Sequence, residues 1–197
     1  MQNQMNQINI GAHEMMECHE VLSSMINGIN HFQLYQQYCQ DQELKNILNN
    51  QLSFMTNEYN TFVNVLQQKS NIGHLPSVKS QVNVSPTYGV SSNAVPEGPN
   101  ASINQINDRD ISSGMLGCHK AGAVFKMHAS LECTDPQIRE MMIQGAKNCA
   151  DQAYETWGYM NKKGYYQVPT FDQTTTRSLM NSYQPSSLYS NPSQQQY

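Results

Sequence analysis

Permanent charge is what this chain has least of. Asp, Glu, Lys and Arg make up 13% of its 197 residues, against about a quarter in ordinary soluble domains. The formal net charge of -4 gives no electrostatic reason to expect nucleic acid or an anionic membrane as partner. Long apolar runs are also missing. None approaches the roughly 18 consecutive apolar residues of a membrane helix, so no membrane span is expected. The start, Met1-Gln2-Asn3-Gln4, lacks the basic and apolar stretches of a secretory signal, which predicts a protein made and kept on the cytosolic side. Cysteines number five, an odd count with no C-x-x-C and no Cys/His zinc spacing. A closed disulfide framework is therefore not expected.

What fills the space is Gln and Asn on the polar side, with a mean hydropathy of -0.62. Twelve Met and eleven Tyr accompany a single Trp, a mixture suited to adaptable core packing and a tyrosine-rich exterior. The length suffices for one domain with a real core.

Four segments carry helical periodicity. Met15, Cys18, Leu22, Met25, Ile29 and Phe32 recur at three- and four-residue steps, which predicts a helix over about residues 6–38. Asp41 is a suitable N-cap for a second helix, where Leu44, Leu48, Met55, Tyr59, Phe62 and Leu66 repeat the pattern to about residue 70. From Asn71 to Asn107 the composition turns to Gly, Pro, Ser and Asn, with Pro76, Pro86, Pro96 and Pro99 blocking any helix. Ile111, Met115, Cys118, Gly122, Phe125 and Ala129 form a third stripe behind Asp108. Thr134-Asp135-Pro136 marks a boundary, Asp135 as cap and Pro136 as first helical residue. Ile138, Met142, Gly145, Cys149, Ala153 and Met160 make the fourth stripe, which stops at Lys162-Lys163-Gly164.

The predicted fold is all-α. It is a ferritin-like four-helix bundle of two helical hairpins (1–70 and 108–164) joined by a long crossover (71–107). A Tyr/Gln/Ser-rich tail (165–197) should remain without order. The hairpins look like a weak internal repeat: Cys18-His19 matches Cys118-His119, and Cys39-Gln40-Asp41 matches Cys133-Thr134-Asp135.

That architecture obliges a test for a dinuclear metal site, which requires a Glu from each of two helices and a Glu-x-x-His from each of the other two. The available carboxylates are Glu14 or Glu17, Glu58, Glu132 and Glu155. Thr61 follows Glu58 by three residues and Gly158 follows Glu155 by three, and the second and fourth helices contain no His. The pattern fails, so no catalytic, cofactor or metal residues are expected. His13/Glu17 and His128/Glu132 remain as i, i+4 pairs, and His31, His128 and Glu132 could form an unconventional site. The bland reading is that all of these are solvated side chains flanking the core. Cys18, Cys118 and Cys149 lie on apolar stripes and should pack as small hydrophobes. Cys39 and Cys133, at helix ends, are expected to be accessible and open to interchain disulfides. The tail tyrosines Tyr165, Tyr166, Tyr183, Tyr189 and Tyr197 belong either to an ordinary disordered tail or to a cross-linkable strand.

The stretch from Asp108 to Pro169 resembles the coat F family of spore coat proteins from endospore-forming bacteria. The likeness rests on Asp110-Ile111, Gly114-Met115-Leu116, His119-Lys120, Leu131-Glu132-Cys133, Asn148-Cys149 and Ala153-Tyr154-Glu155. Its most specific part is Tyr159-Met160-Asn161-Lys162-Lys163-Gly164-Tyr165-Tyr166-Gln167-Val168-Pro169. The resemblance implies a ferritin-like bundle without established catalysis or cofactor, made in the mother-cell cytoplasm and laid down in the spore coat. It also implies other coat proteins, and further copies of the chain, as partners. The competing reading is a metal-dependent oxidoreductase on the same fold, such as a ferroxidase or a manganese catalase. A third is a soluble adaptor bundle of the sporulating cell.

Overall fold

Four long helices form where the periodicity places them. The computed structural model describes residues 10–67, 74–78, 84–91 and 98–186. Helix α1 spans Ala12–Gln36, α2 Gln42–Leu66, α3 Asp108–Glu132, α4 Pro136–Lys162, and a short α5 Gln173–Met180. The expected first turns of α1 from residue 6, the end of α2 near residue 70, Pro96, Tyr189 and Tyr197 lie outside the described residues.

The helix ends are set by local chemistry. The Asp41 carboxylate accepts from the backbone N–H groups of Glu43 and Leu44, and Asp135 does the same for Gln137 and Ile138 with Pro136 behind it. Asn107 and Asp110 make a reciprocal capping box on α3. Each such cap contributes about 1 kcal/mol by satisfying donors with no partner inside the helix. Gly164 ends α4 at φ +76°, a left-handed conformation natural to glycine.

The bundle packs α1 on α2 and α3, and α4 on α2 and α3, with a slighter contact of α2 with α3 across the diagonal. Neighbours run antiparallel. Glu14, at the start of α1, meets Thr134 beyond the end of α3, and Glu43, at the start of α2, meets Lys162 at the end of α4. The end of α2 and the start of α3 thus lie at opposite ends of the bundle, and the crossover must traverse its whole length. It runs along α4. Pro76 and Val78 hydrogen-bond to Asn148, Thr87 to Asn161, and Gly89 bridges to Val168. Leu75 is buried beneath it. At Gly158 a Cβ would stand 2.6 Å from Val84 Cγ2, so only glycine lets the strand lie this close.

The apolar core falls into two clusters. One gathers Phe32, Leu44, Leu48, Ile111, Met115 and Met160 near the α1–α2 turn. The other gathers Cys18, Val21, Phe62, Ile138, Met141 and Met142 near the α3–α4 turn.

Two expectations need correction. The tail is ordered at its start: Tyr165 packs against the first cluster, Tyr166 meets Trp157 edge-on with Lys120 over its ring, and residues 173–180 are helical. The stretch Tyr165–Val168 orders because its rings reach apolar surface on α4. Cys39 is also not accessible. It is 4% exposed, because the α1–α2 turn folds it under the first cluster.

Candidate functional site

Between the two apolar clusters the bundle centre is polar. Lys126 of α3 and Glu58 of α2 form an ion pair at 2.7 Å, both almost wholly buried. The other Glu58 oxygen accepts from Asn148 Nδ2 at 2.7 Å. Two turns back along α2, Gln51 is buried: its Oε1 lies 2.9 Å from His119 Nε2, and its amide donates to Glu155 Oε2 at 2.8 Å and to the Gln152 carbonyl at 3.1 Å. The Thr156 hydroxyl lies 3.2 Å from Gln51 Nε2. Gln152 Oε1 is buried without a partner, as is the Tyr159 hydroxyl.

The electrostatics follow from burial. Desolvation by itself would lower the pKa of Lys126, but the Glu58 carboxylate at contact raises it, so Lys126 stays protonated. Burial, helped by the Lys126 charge, pushes His119 down to about 3. The imidazole is therefore neutral, with Nε2–H donating to Gln51 Oε1. A cavity of about 40 Å³ touches Glu58, His119, Lys126, Cys149 and Gln152. It has room for a water molecule and not for a substrate.

A ferritin-like bundle places carboxylates and histidines at this level to hold two metal ions. The residues here do not fit that purpose. The carboxylate at the centre is Glu58, and the ammonium of Lys126 occupies the position of a cation beside it. Glu14 is buried far from the centre, where its carboxylate accepts from the Thr134 hydroxyl and the Asp135 N–H. Glu17 is half-buried on α1, and Glu155 accepts from Gln51. His31 is exposed and stacks on Tyr35. His128 is exposed, and Glu132 pairs with His13 at 3.1 Å. The structure does not bring His31, His128 and Glu132 together: His31 stands five turns along α1 from His13, and Glu132 sits at the level of His13. Among the described residues no three His, Cys, Asp or Glu side chains converge as metal ligands.

The pseudo-repeat also fails at its histidines. His19 is exposed while His119 is buried, and Cys18 is buried while Cys118 is half-buried, so α1 and α3 are rotated differently about their axes. Sequence reasoning passed over Gln51, Lys126, Asn148 and Gln152. A signal existed on α2, where Leu44, Leu48, Gln51, Met55, Glu58 and Phe62 keep one three-four rhythm when the polar members are counted.

Burial disfavours the thiolate at each cysteine. Burial first, then nearby acidic groups, pushes Cys39 up to about 12 and Cys133 to about 11. Burial also raises Cys149 to about 11, despite the Lys126 charge nearby.

Known proteins resemble this chain along most of its length. Residues 107–169 match the model of the Coat F domain. The spore coat protein F-like protein YhcQ of Bacillus subtilis (strain 168) is 36% identical over 189 residues, covering 93% of this chain and 85% of the relative. The crystal structure of a candidate spore coat protein from Bacillus halodurans C-125 superposes with a TM-score of 0.60 at 18% identity, over 83% of this chain and 96% of that one. At that identity the likeness speaks for the fold. In the described residues no helix is long and apolar enough to cross a membrane.

Proposed function

The chain belongs to the coat F family of spore coat proteins, and on that premise we propose that it is a structural component of the endospore coat, acting by packing with copies of itself and with other coat proteins. The observation that carries the structural reading is the buried Lys126–Glu58 pair. At the level where a bundle enzyme would gather metal ligands, this core joins three helices through a fixed ion pair and side-chain amides. Such a network confers a unique packing register more readily than it performs chemistry. The small cavity beside it admits no substrate. Among the described residues the metal-dependent oxidoreductase reading finds no converging ligand set.

The test is extraction of washed spores with and without reductant, followed by mass spectrometry for peptides of this chain. Recovery from the coat fraction above the level in the spore core is the expected result. Release without reductant is expected too, because Cys39 is buried. A protein found in the mother-cell cytosol and absent from the coat would sink the proposal.

A further inference from the structure

The polar centre sets an amine, a carboxylate and a primary amide side by side. Lys126 Nζ lies 2.7 Å from Glu58 Oε2, and Asn148 Nδ2 lies 2.7 Å from Glu58 Oε1. One carboxylate thus touches both nitrogens. Lys126 reaches from α3 onto α4, where a Cβ at Gly145 would stand 2.9 Å from its Cδ and 3.4 Å from its Nζ. Gly145 and Asn148 are three residues apart on α4 and share a face, so the amine is lodged against the face that carries the amide.

The amide is held in one orientation. The Val78 N–H can only donate and the Pro76 carbonyl can only accept, so Asn148 Oδ1 faces the first at 3.1 Å and Nδ2 the second at 2.8 Å. Gln144 Nε2 donates to Oδ1 as well, at 2.9 Å. Two fixed donors on a carbonyl oxygen stabilise the charge that collects there when its carbon is attacked. The site is also dry. Lys126, Glu58 and Asn148 are 6%, 1% and 0% exposed, and Leu75 packs over the same Gly145 position.

We propose that Lys126 and Asn148 join in an intrachain isopeptide bond, with Glu58 carrying the protons. The structure describes the pair before joining, its ions still intact. A proton passes from Nζ to Glu58 Oε2 across their contact, and the neutral amine attacks Asn148 Cγ. The Nζ–Cγ bond forms while Val78 and Gln144 hold the oxygen. Nζ gives up a second proton, Nδ2 gains one, and the Cγ–Nδ2 bond breaks to release ammonia. Glu58 is left as a neutral acid, which balances the ammonium charge consumed. No oxidant and no outside reactant enters. The cavity of about 40 Å³ beside Glu58 and Lys126 can take a molecule of water's size, as ammonia is. Removal of two buried charges favours the product. The chemistry runs once per chain, without turnover, and fastens α3 to α4 in the register that the ion pair sets. It goes beyond the coat reading and does not depend on it.

The experiment is intact-mass spectrometry of the purified full chain, followed by tryptic digestion and fragmentation. The expected mass, after standing at neutral pH, is one ammonia below that of the sequence. A branched peptide should name Lys126 and Asn148 as the joined pair. Lys126→Arg keeps a cation beside Glu58 and should keep the full mass, as should Glu58→Gln. A wild type still at full mass after prolonged standing overturns the proposal, and that measurement needs no variant to fold. Ammonia lost without a joined peptide, as when an asparagine closes on its own backbone, overturns it too. So does loss of water with Lys126 joined to Glu58, or joining that persists undiminished in Glu58→Gln. None of these outcomes moves the spore extraction, so the two readings fail separately.

Discussion

Glu14 and Asp108 each clasp the turn of the other's hairpin. Glu14, in the first turn of α1, accepts from the Thr134 hydroxyl and the Asp135 N–H of the α3–α4 turn. Asp108, first residue of α3, accepts from the N–H groups of Gln40 and Asp41 in the α1–α2 turn at 2.8 and 3.0 Å. The two contacts lie at opposite ends of the bundle. Hydrogen bonds to a charged acceptor are worth about 1.5–3 kcal/mol net. Glu14→Gln should cost about 2 kcal/mol, and Asp108→Asn, less buried, about 1 kcal/mol. Urea denaturation should find the two losses additive; strong coupling would show that the ends do not act independently.

The central ion pair predicts an asymmetry. Lys126→Ala leaves Glu58 buried and uncompensated, and should destabilise the fold by about 3–5 kcal/mol. The double variant Lys126→Met/Glu58→Gln removes both charges and should regain most of that loss. Equilibrium unfolding in urea measures both. A double variant no more stable than the single one would mean that the core needs the charges themselves.

His119 makes the fold acid-sensitive. Its pKa in the bundle is about 3, below the ordinary 6.5, so the unfolded chain takes up the proton first. The contribution is complete above pH ~6.5 and is lost as pH falls toward 3, reaching about 2 kcal/mol of lost stability by pH 5. His119→Asn should flatten the stability profile between pH 6.5 and 5. An unchanged slope would place the acid sensitivity on other groups.

Thiol chemistry should be slow in the native state. Cys18, raised to about 12 by burial, Cys39 and Cys149 should react with a thiol reagent at pH 8 only after unfolding. The half-buried Cys133 and Cys118 should label ahead of them. Rapid native labelling of Cys39, read by peptide mapping, would contradict its burial in the turn.

The helices were legible because their signals are local. Asp41, Asp135 and Gly164 each act on backbone groups within a few residues of themselves, and the α1–α4 stripes need only a three-four rhythm. The crossover was legible because four prolines forbid a helix. The polar core was not, because what makes Lys126 an interior residue is Glu58 on another helix, and neither side chain announces the other. The Cys-His pairs misled for a similar reason: equal spacing in sequence does not fix how each helix is rotated, and His19 and His119 face opposite environments. Cys39 illustrates the same limit, since the fold of the turn beneath Phe32 and Leu44, rather than its place at a helix end, decides its exposure. The order of Tyr165–Val168 likewise depends in part on Gly89, which is distant along the chain.

The crossover is tied to α4 at Asn148 on one side of Val84 and at Asn161 on the other. A peptide bond cut between Val78 and Val84 would therefore leave both new ends moored to the same helix. The two pieces would remain wedged together by the α1–α3 and α2–α4 contacts. Hydrolysis there would turn one polypeptide into a two-chain particle of unchanged outline, visible on a denaturing gel and silent in its hydrodynamic size.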